Sequence, residues 1–243
     1  MNRLVPLITF FIILILVPTT FAETDEMTAD EHYLMGNALS SFGQYENATH
    51  EYRLALKMRP GFSDALNNLG IVLNRQGKYE EALEVADEAV RVTPQDADAW
   101  YNRGVTLGKL ARYEEEVDSY RQALNIRPNY SSAWENMGAS YFDQGKFEEA
   151  IAAYLNATTY DQNNAVGWYY IGTIYEKIGQ NIKAIDAFEK AISIDPNLTV
   201  VQSRLETVKK NITSSVGDQE KESFNTTGNT SSELFSGLLN ILK

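Results

Sequence analysis

The fold is decided by residues 131–164, which read SSAWENMGASYFDQGKFEEAIAAYLNATTYDQNN. Large apolar residues recur along two successive segments of this stretch, at Trp134, Met137 and Tyr141 and then at Phe147, Ile151 and Tyr154. Spacings of three and four residues place such side chains on one face of an α-helix. Gly145 lies between the two segments, where a residue in the left-handed conformation can end the first helix. The stretch therefore predicts a hairpin of two α-helices.

The same pattern recurs every 34 residues along most of the chain. Glycine recurs at Gly36, Gly70, Gly104, Gly138 and Gly172, and alanine at Ala55, Ala89, Ala123, Ala157 and Ala191. No insertion interrupts the register, which defines the five units 29–62, 63–96, 97–130, 131–164 and 165–198. One hairpin cannot bury its apolar faces alone, whereas stacked hairpins bury a continuous core. The chain is therefore predicted to be a stack of helical hairpins.

A 34-residue period with these residue types resembles the tetratricopeptide repeat (TPR), and the resemblance extends over residues 29–198. It implies an all-α fold, a right-handed α-solenoid of five TPR hairpins. After Pro196 the pattern changes, and apolar residues fall on one side of the next segment, at Val200, Val201, Leu205, Val208 and Ile212. We therefore predict that residues 199–212 form a capping helix that closes the solenoid.

The first 22 residues differ from the rest of the chain. Arg3 is followed by an unbroken apolar run from Leu4 to Val17, and small residues precede the end of the segment at Ala22. This order is typical of a secretory signal peptide. We predict that 1–22 is a signal peptide and 23–28 a linker. The alternative is an uncleaved membrane anchor, because the apolar segment is just long enough to span a bilayer.

Two segments follow the capping helix. Residues 213–232 are rich in Ser, Thr, Asn, Gly and Glu, the composition of a flexible polar tail. Residues 233–243 turn apolar again and fit one face of a short amphipathic helix. Three roles stay open for this helix: docking on a groove of this chain or of a second copy, weak binding to a membrane surface, and no fixed structure. Self-association and membrane contact through either end are therefore expectations to be tested.

Charge and composition argue against several classes of function. The net charge of −12 opposes binding to nucleic-acid phosphates. The chain has no cysteine and only two histidines, His32 and His50. It therefore lacks the thiolates and imidazoles that most zinc sites and hydrolytic triads need. His32 replaces a large apolar residue of the other units, which predicts a half-buried packing role. We predict no enzymatic activity and no cofactor.

Acidic clusters are the remaining candidates for catalysis or metal binding. Glutamates cluster at 80–81, 114–116 and 148–149, at the start of the second helix of a unit. Carboxylates there stabilise the helix dipole, so the repeat itself accounts for them. Residues 161–164 resemble half of a calcium loop but lack its central glycine and distal glutamate. We predict no metal site.

In the family that the chain resembles, the first helix of each unit lines a concave groove that binds proteins or peptides. The resemblance places these residues in the groove: Tyr33, Asn37, Asn67, Ile71, Asn74, Arg75, Tyr101, Val105, Lys109, Glu135, Phe142, Tyr169, Thr173 and Lys177. The four aromatic members look exposed and are candidate anchors for a partner. Most other aromatic residues fall on interior positions, where core packing rather than carbohydrate stacking explains them.

Some members of the family hold a C-terminal carboxylate in a clamp of lysine, arginine and asparagine side chains. The matching positions here are Tyr33, Asn37, Asn68, Asp98 and Asn102. Every cation of the clamp is missing. The resemblance therefore does not extend to carboxylate binding.

The third unit departs from the repeat twice. Arg103 replaces a large apolar residue of the first helix, and Glu116 replaces a small residue of the second helix. Both positions face the interface between the two helices, where an unpaired charge is costly. We predict an Arg103–Glu116 ion pair.

Glycosylation sequons are unusually frequent. The acceptor pattern Asn-X-Ser/Thr occurs at Asn47, Asn129, Asn156, Asn197, Asn211, Asn225 and Asn229. None of the seven is a predicted groove position. Glycans would therefore coat the outside and leave the groove open.

The sequence favours a non-enzymatic scaffold that acts outside the cytoplasm, in the extracellular space or the cell envelope, and binds a partner segment in its groove. One alternative is a structural or assembly component of the envelope, glycosylated and tethered to the membrane. Another is an enzyme with a repeat-borne recognition module, which would need a catalytic domain in the short segment after Ile212. The exported character is similar to that of TPR proteins of archaeal envelopes.

Overall fold

A computed structural model describes the backbone of residues 27–227 and the side chains of residues 27–214. The predicted signal peptide 1–22, most of the linker 23–28 and the amphipathic segment 233–243 lie outside these residues. The described part consists of helices and contains no strand.

Eleven α-helices follow one another along the described residues. They are α1 (Ala29–Ser41), α2 (Tyr45–Met58), α3 (Ser63–Arg75), α4 (Tyr79–Val92), α5 (Ala97–Lys109), α6 (Tyr113–Ile126), α7 (Ser131–Asp143), α8 (Phe147–Tyr160), α9 (Ala165–Lys177), α10 (Asn181–Ile194) and α11 (Thr199–Thr227). Each 34-residue unit contains one pair of these helices, and α11 begins where a sixth unit would begin. The fold is the expected solenoid of helical hairpins.

Local signals in the sequence explain where the helices start and end. Thr28 caps α1 by accepting a hydrogen bond from the backbone N–H of Glu31, whose carboxylate accepts from Thr28 in return. The turn inside four of the five hairpins is closed by a glycine with φ between +72° and +77°: Gly43, Gly77, Gly145 and Gly179. In the third hairpin Ala111 takes this place with φ +56°. The turn geometry is therefore kept even where glycine is missing.

The core lies between the two helices of each unit and between successive units. Large rings at one position of the second helix are almost fully buried at Tyr52, Tyr120, Tyr154 and Phe188. Alanines at another position of the second helix are fully buried at Ala48, Ala82, Ala150 and Ala184. The alternation of large and small side chains lets neighbouring helices interdigitate at close range.

The C-terminal helix is longer than the sequence predicts. The expected capping helix ends at residue 212, whereas α11 runs from Thr199 to Thr227, so the prediction of a flexible tail from 213 onward is wrong up to that residue. The first part of α11 packs on α10 through Val201, Val208 and Ile212, which are buried against Phe188 and its neighbours. Residues 199–227 contain no proline, which would interrupt a helix. The helix therefore continues beyond the part that packs on α10.

None of the helices described over residues 27–227 combines the length and the apolarity that a bilayer crossing requires.

Candidate partner-binding groove

The contacts between helices identify the inner side of the solenoid. The first helices of successive units contact one another, α1 with α3, α3 with α5 and α5 with α7. No comparably extensive contact joins successive second helices of the described chain. The first helices are therefore the more closely spaced layer, as the inside of a curved stack must be.

All fourteen predicted groove residues lie on these first helices. Four of them are exposed: Ile71, Arg75, Lys109 and Lys177. Thr173 is buried, and the other nine are half-buried. The structure thus places the predicted set on one layer, with mostly partial exposure.

The aromatic members are not the exposed anchors that the sequence suggests. Their rings pack on neighbours within the inner layer, with centroids 4.9 Å apart for Tyr33 and Phe62 and also for Tyr101 and Tyr130. Phe142 packs against Phe147 and Tyr170 in the same way, and Tyr169 packs against Tyr170. The repeat explains this difference, because these rings pack at the junctions between units and are only partly exposed.

Three groove tyrosines accept hydrogen bonds from residues that the sequence analysis did not place in the groove. The hydroxyl of Tyr101 accepts from Asn136 Nδ2 at 3.1 Å. The corresponding pairs are Tyr33 with Asn68 at 3.4 Å and Tyr169 with Arg204 at 3.2 Å. Each pair is separated by 35 residues, so a tyrosine followed one repeat and one residue later by a polar side chain is the signal that could have identified them.

The chemistry of the groove alternates from unit to unit. Units one, three and five have tyrosine at the fifth position, whereas units two and four have Asn67 and Glu135. Asn67 donates to Asp96 at 2.9 Å, and Glu135 accepts from Asn164. Both partners sit at the N-terminal end of the next first helix. The groove surface therefore repeats every two units rather than every unit.

Ion pairs reinforce units one and three at the edge of the groove. Arg127 donates two hydrogen bonds to Asp98, at 2.9 and 2.8 Å, and its guanidinium lies 4.6 Å from the ring centroid of Tyr130. These hydrogen bonds lower the pKa of the Asp98 carboxyl. Arg59 and Asp30 form the equivalent pair in the first unit.

A cleft of about 510 Å³ lies at the C-terminal end of the groove. It is lined by Phe142, Tyr169, Tyr170, Thr173, Glu176, Lys177 and Arg204, which come from α7, α9 and α11. Arg204 is held by Glu176, with Nε 3.0 Å from Oε2, and donates to the hydroxyl of Thr173 at 3.3 Å. The cleft thus offers aromatic edges beside one exposed cation, Lys177.

The predicted Arg103–Glu116 pair is wrong. Arg103 Nε lies 2.6 Å from Asp87 Oδ1, and Arg103 Nη1 donates to the hydroxyl of Ser119 at 2.7 Å. Arg103 therefore contacts the preceding unit, where Asp87 is half exposed. Glu116 points elsewhere, toward Gly108 on α5, where its side chain is 7% exposed and lines a cavity of about 240 Å³.

The histidine and the acidic clusters considered for catalysis or metal binding lie where the repeat structure accounts for them. His32 is largely buried, and its Nδ1 lies 2.6 Å from Glu51 Oε2. The acidic clusters occupy the first turns of α4, α6 and α8. Within residues 27–214, whose side chains the structure describes, no three histidine, aspartate or glutamate side chains cluster as a metal site requires.

The sequons lie away from α1, α3, α5, α7 and α9 wherever the structure describes them. Asn47, Asn129, Asn197 and Asn211 are exposed on second helices, on α11 or in loops. Asn156 is half-buried and donates to the carbonyl of Ala152 at 2.9 Å. Asn225 lies in the part of α11 whose side chains are not described, and Asn229 lies outside the described residues.

Comparisons with known proteins place the repeat in a family. Models of the tetratricopeptide repeat match residues 33–97, 75–131, 119–152 and 165–198, and a model described as TPR repeat matches 138–179. Together these matches extend from 33 to 198. No curated protein matches the chain.

Solved structures share the fold. MamA protein is 23% identical, with a TM-score of 0.64, over 69% of this chain and 92% of that chain. A form of MamA from Desulfovibrio magneticus is 19% identical and has the same TM-score, and the match covers 70% of this chain and 96% of that chain. YrrB is described as a TPR protein with an unusual peptide-binding site. It is 25% identical, with a TM-score of 0.61, and the match covers 73% of this chain and 92% of that chain. These matches do not support the resemblance to archaeal envelope proteins. The chain belongs to the tetratricopeptide-repeat family.

Proposed function

We propose that this protein is a non-enzymatic scaffold that binds a segment of a partner protein along the layer formed by its first helices. The observation that carries the proposal is the cleft between α7, α9 and α11, where aromatic edges, a hydroxyl and a cation converge. Such a combination suits a peptide, because apolar side chains can pack on the rings while polar groups fix the register. The description of YrrB as a TPR protein with a peptide-binding site supports this choice.

The charge of the chain narrows the class of partner. A net charge of −12 disfavours nucleic acid and favours a partner segment that carries positive charge. Lys177 and Arg75 are exposed cations on the first helices, so the partner must also place neutral or acidic groups near them. A protein segment with both kinds of side chain meets these conditions.

The proposed site of action is outside the cytoplasm, as a secreted or envelope protein. The composition of residues 1–22 and the seven sequons support export. Mass spectrometry of the protein purified from its source tests both parts, since it reports the N-terminal residue and the glycans together. We expect a chain that begins after Ala22 and has glycans on Asn47, Asn129, Asn197 or Asn211. A chain that retains its first residues and has no glycan contradicts export with cleavage.

A second candidate function is an assembly component of the envelope. It is favoured by the exposed apolar side chains of α1 and its following turn, Leu34, Met35 and Phe42, at the N-terminal end of the solenoid. Such an end can associate with other molecules. Sedimentation of the full chain at several concentrations separates the two candidates, because only an assembly component requires self-association.

Selection of peptides tests the proposed groove directly. We propose to select random displayed peptides on the full chain and to measure the affinity of the enriched peptides for variants. Ile71→Asp and Lys177→Glu change exposed groove residues and should weaken binding by about tenfold or more. Leu155→Asp is the matched control, since Leu155 has the same 40% exposure as Ile71 but lies on the second helix α8. Peptides that lose affinity only for the control variant would contradict binding in the groove.

A further inference from the structure

The third unit carries a carboxylate where the other units have a buried methyl group. Glu116 takes the place that alanine has in the other four units, at Ala48, Ala82, Ala150 and Ala184. Gly108 faces it from α5, and a Cβ atom at this glycine would lie only 2.6 Å from Glu116 Oε1. A glutamate side chain fits here because α5 has no side chain at residue 108. The two residues therefore form one feature that only the third unit has among the five.

The Glu116 carboxylate is not neutralised by the residues around it. Its side chain is more than nine-tenths buried, and no hydrogen bond from the described residues reaches Oε2. Arg103, which the sequence predicts as the partner of Glu116, instead forms an ion pair with Asp87. Hydrogen bonds from the hydroxyls of Ser140 and Tyr120 reach the carboxylate, but these groups do not cancel its charge. A buried charge without a counter-charge is costly, so either a proton or a cation from outside is needed to offset that cost.

The cavity beside this carboxylate opens between α5, α6 and α7. Its volume of about 240 Å³ is large enough for one long side chain. Its lining includes the apolar and aromatic groups of Val105, Tyr113 and Tyr120 and the charged groups of Lys109 and Asp143. Asp143 adds negative charge near Glu116, and Lys109 forms no ion pair within the described residues.

A metal ion fits this cavity poorly. Metal sites need several ligands, and the described residues contain no cluster of three acidic or histidine side chains. A basic side chain fits better, because its long apolar stem can pack on rings while its charged end reaches a carboxylate. The cavity is lined by groove residues Val105 and Lys109, so a partner segment in the groove can reach it.

We propose that this cavity, the Glu116 pocket, receives a lysine or arginine side chain of the bound partner segment, whose charged end pairs with the Glu116 carboxylate. The inference rests on the proposed groove and specifies part of its partner. Gly108 provides the space, the rings of Tyr113 and Tyr120 contact the stem, and Asp143 strengthens the attraction for a cation. Specificity then arises because an uncharged side chain would leave the buried carboxylate without a counter-charge.

The test uses two pairs of blocked amino acids, each of which compares a charged side chain with a neutral analogue: norleucine lacks the ammonium group of lysine, and citrulline has a urea in place of the guanidinium of arginine. The probes are N-acetyl-lysine methylamide against the norleucine compound, and the arginine compound against the citrulline compound. Each is titrated into the full chain labelled with ¹⁵N at glycine, and the amide signal of Gly108 is followed. We expect each charged probe to bind at least about tenfold more tightly than its neutral counterpart. We expect this preference to disappear in Glu116→Gln and to persist in the control Glu114→Gln, which removes an exposed charge from the same helix.

Each other result overturns the proposal. Equal binding of charged and neutral probes would show that the pocket does not select a cation. The affinities of the selected peptides for the groove variants would still test the groove itself. A preference that survives in Glu116→Gln would assign the cation to another carboxylate. A preference that emerges only in Lys109→Ala would show that Lys109 itself fills the pocket. Circular dichroism checks that each variant is folded.

Discussion

At the scale of single residues, the backbone of Ala111 shows how the repeat tolerates a missing glycine. Its φ of +56° lies in the left-handed region, which costs a residue with a Cβ roughly 1–2 kcal/mol. The other four hairpins have glycine at the same turn. We expect Ala111→Gly to raise the free energy of unfolding by about 0.5–1 kcal/mol, because relief of this strain exceeds the added entropy of the unfolded chain. Urea denaturation followed by circular dichroism measures the change.

A matched control separates strain from helix propensity. Ala152 is exposed inside the helix α8, where the backbone is in its ordinary conformation. Ala152→Gly should therefore lower the free energy of unfolding by about 1 kcal/mol. If both substitutions destabilise the protein alike, the left-handed turn at Ala111 carries no strain.

Glu116 should make the stability of the protein depend on pH. Burial raises the pKa of its carboxyl, while the nearby hydroxyls of Ser140 and Tyr120 oppose the shift. The folded protein thus holds this proton more tightly than the unfolded chain does. Stability is therefore lost as the pH rises from the ordinary pKa of glutamate through the raised pKa of the folded state.

Glu116→Gln removes this loss because a glutamine does not ionise. We expect the variant to gain stability relative to the wild type over that pH window and to keep the gain at higher pH. Urea denaturation from about pH 4 to pH 8 measures it. Glu114→Gln on the same helix is the control. An identical pH dependence of both variants would contradict the assigned role of burial.

The sequence exposes some of these residue-level features and hides others. Glu116 stands out because alanine holds its place in four other units, so the departure was visible. The sequence does not reveal the surroundings of Glu116. The residue type at the position of Gly108 differs from unit to unit, so a glycine there breaks no pattern. Arg103 was assigned the wrong partner because periodicity reports which layer a side chain faces, not which neighbouring helix it reaches.

At the scale of helices, α11 takes the place of the first helix of a sixth unit, and no second helix follows it within the described residues. Val201 is fully buried against α10, whereas its neighbour Val200 is 56% exposed. We expect Val201→Ala to lower the free energy of unfolding by about 1–3 kcal/mol, because it removes buried methyl groups and leaves a cavity. Val200→Ala should change it by less than about 0.5 kcal/mol. Thermal unfolding measures both, and similar effects would show that α11 is not docked.

The 34-residue period predicts the helices but not the alternation of the groove surface. Period and turn residues are local, so they locate every hairpin. The pairing of Tyr101 with Asn136 joins residues of adjacent units, and so does that of Tyr169 with Arg204. Such pairs follow from stacking, and a search at a single period does not reveal them. The end of α11 was missed for a different reason, since a polar composition predicts exposure but does not by itself end a helix.

At the scale of the whole molecule, the two ends of the solenoid differ. The C-terminal end is covered by α11, and Phe188 and Ile185 of α10 are almost fully buried. The N-terminal helix α1 and the turn after it leave Leu34 62% exposed and Phe42 78% exposed. In a linear array each unit is stabilised only by its neighbours, so a unit with one neighbour opens more often.

We therefore expect hydrogen exchange to be faster in α1 and α2 than in α9 and α10, by about tenfold or more. Mass spectrometry of the full chain resolves the two ends. Val201→Ala provides an internal check, because loosening α11 should speed exchange in α10 and leave α1 unchanged. Equal protection at both ends would mean that something covers the apolar end of α1. Repeating the measurement on diluted protein then identifies the cover: protection by a second copy falls on dilution, whereas protection by another segment of the same chain does not.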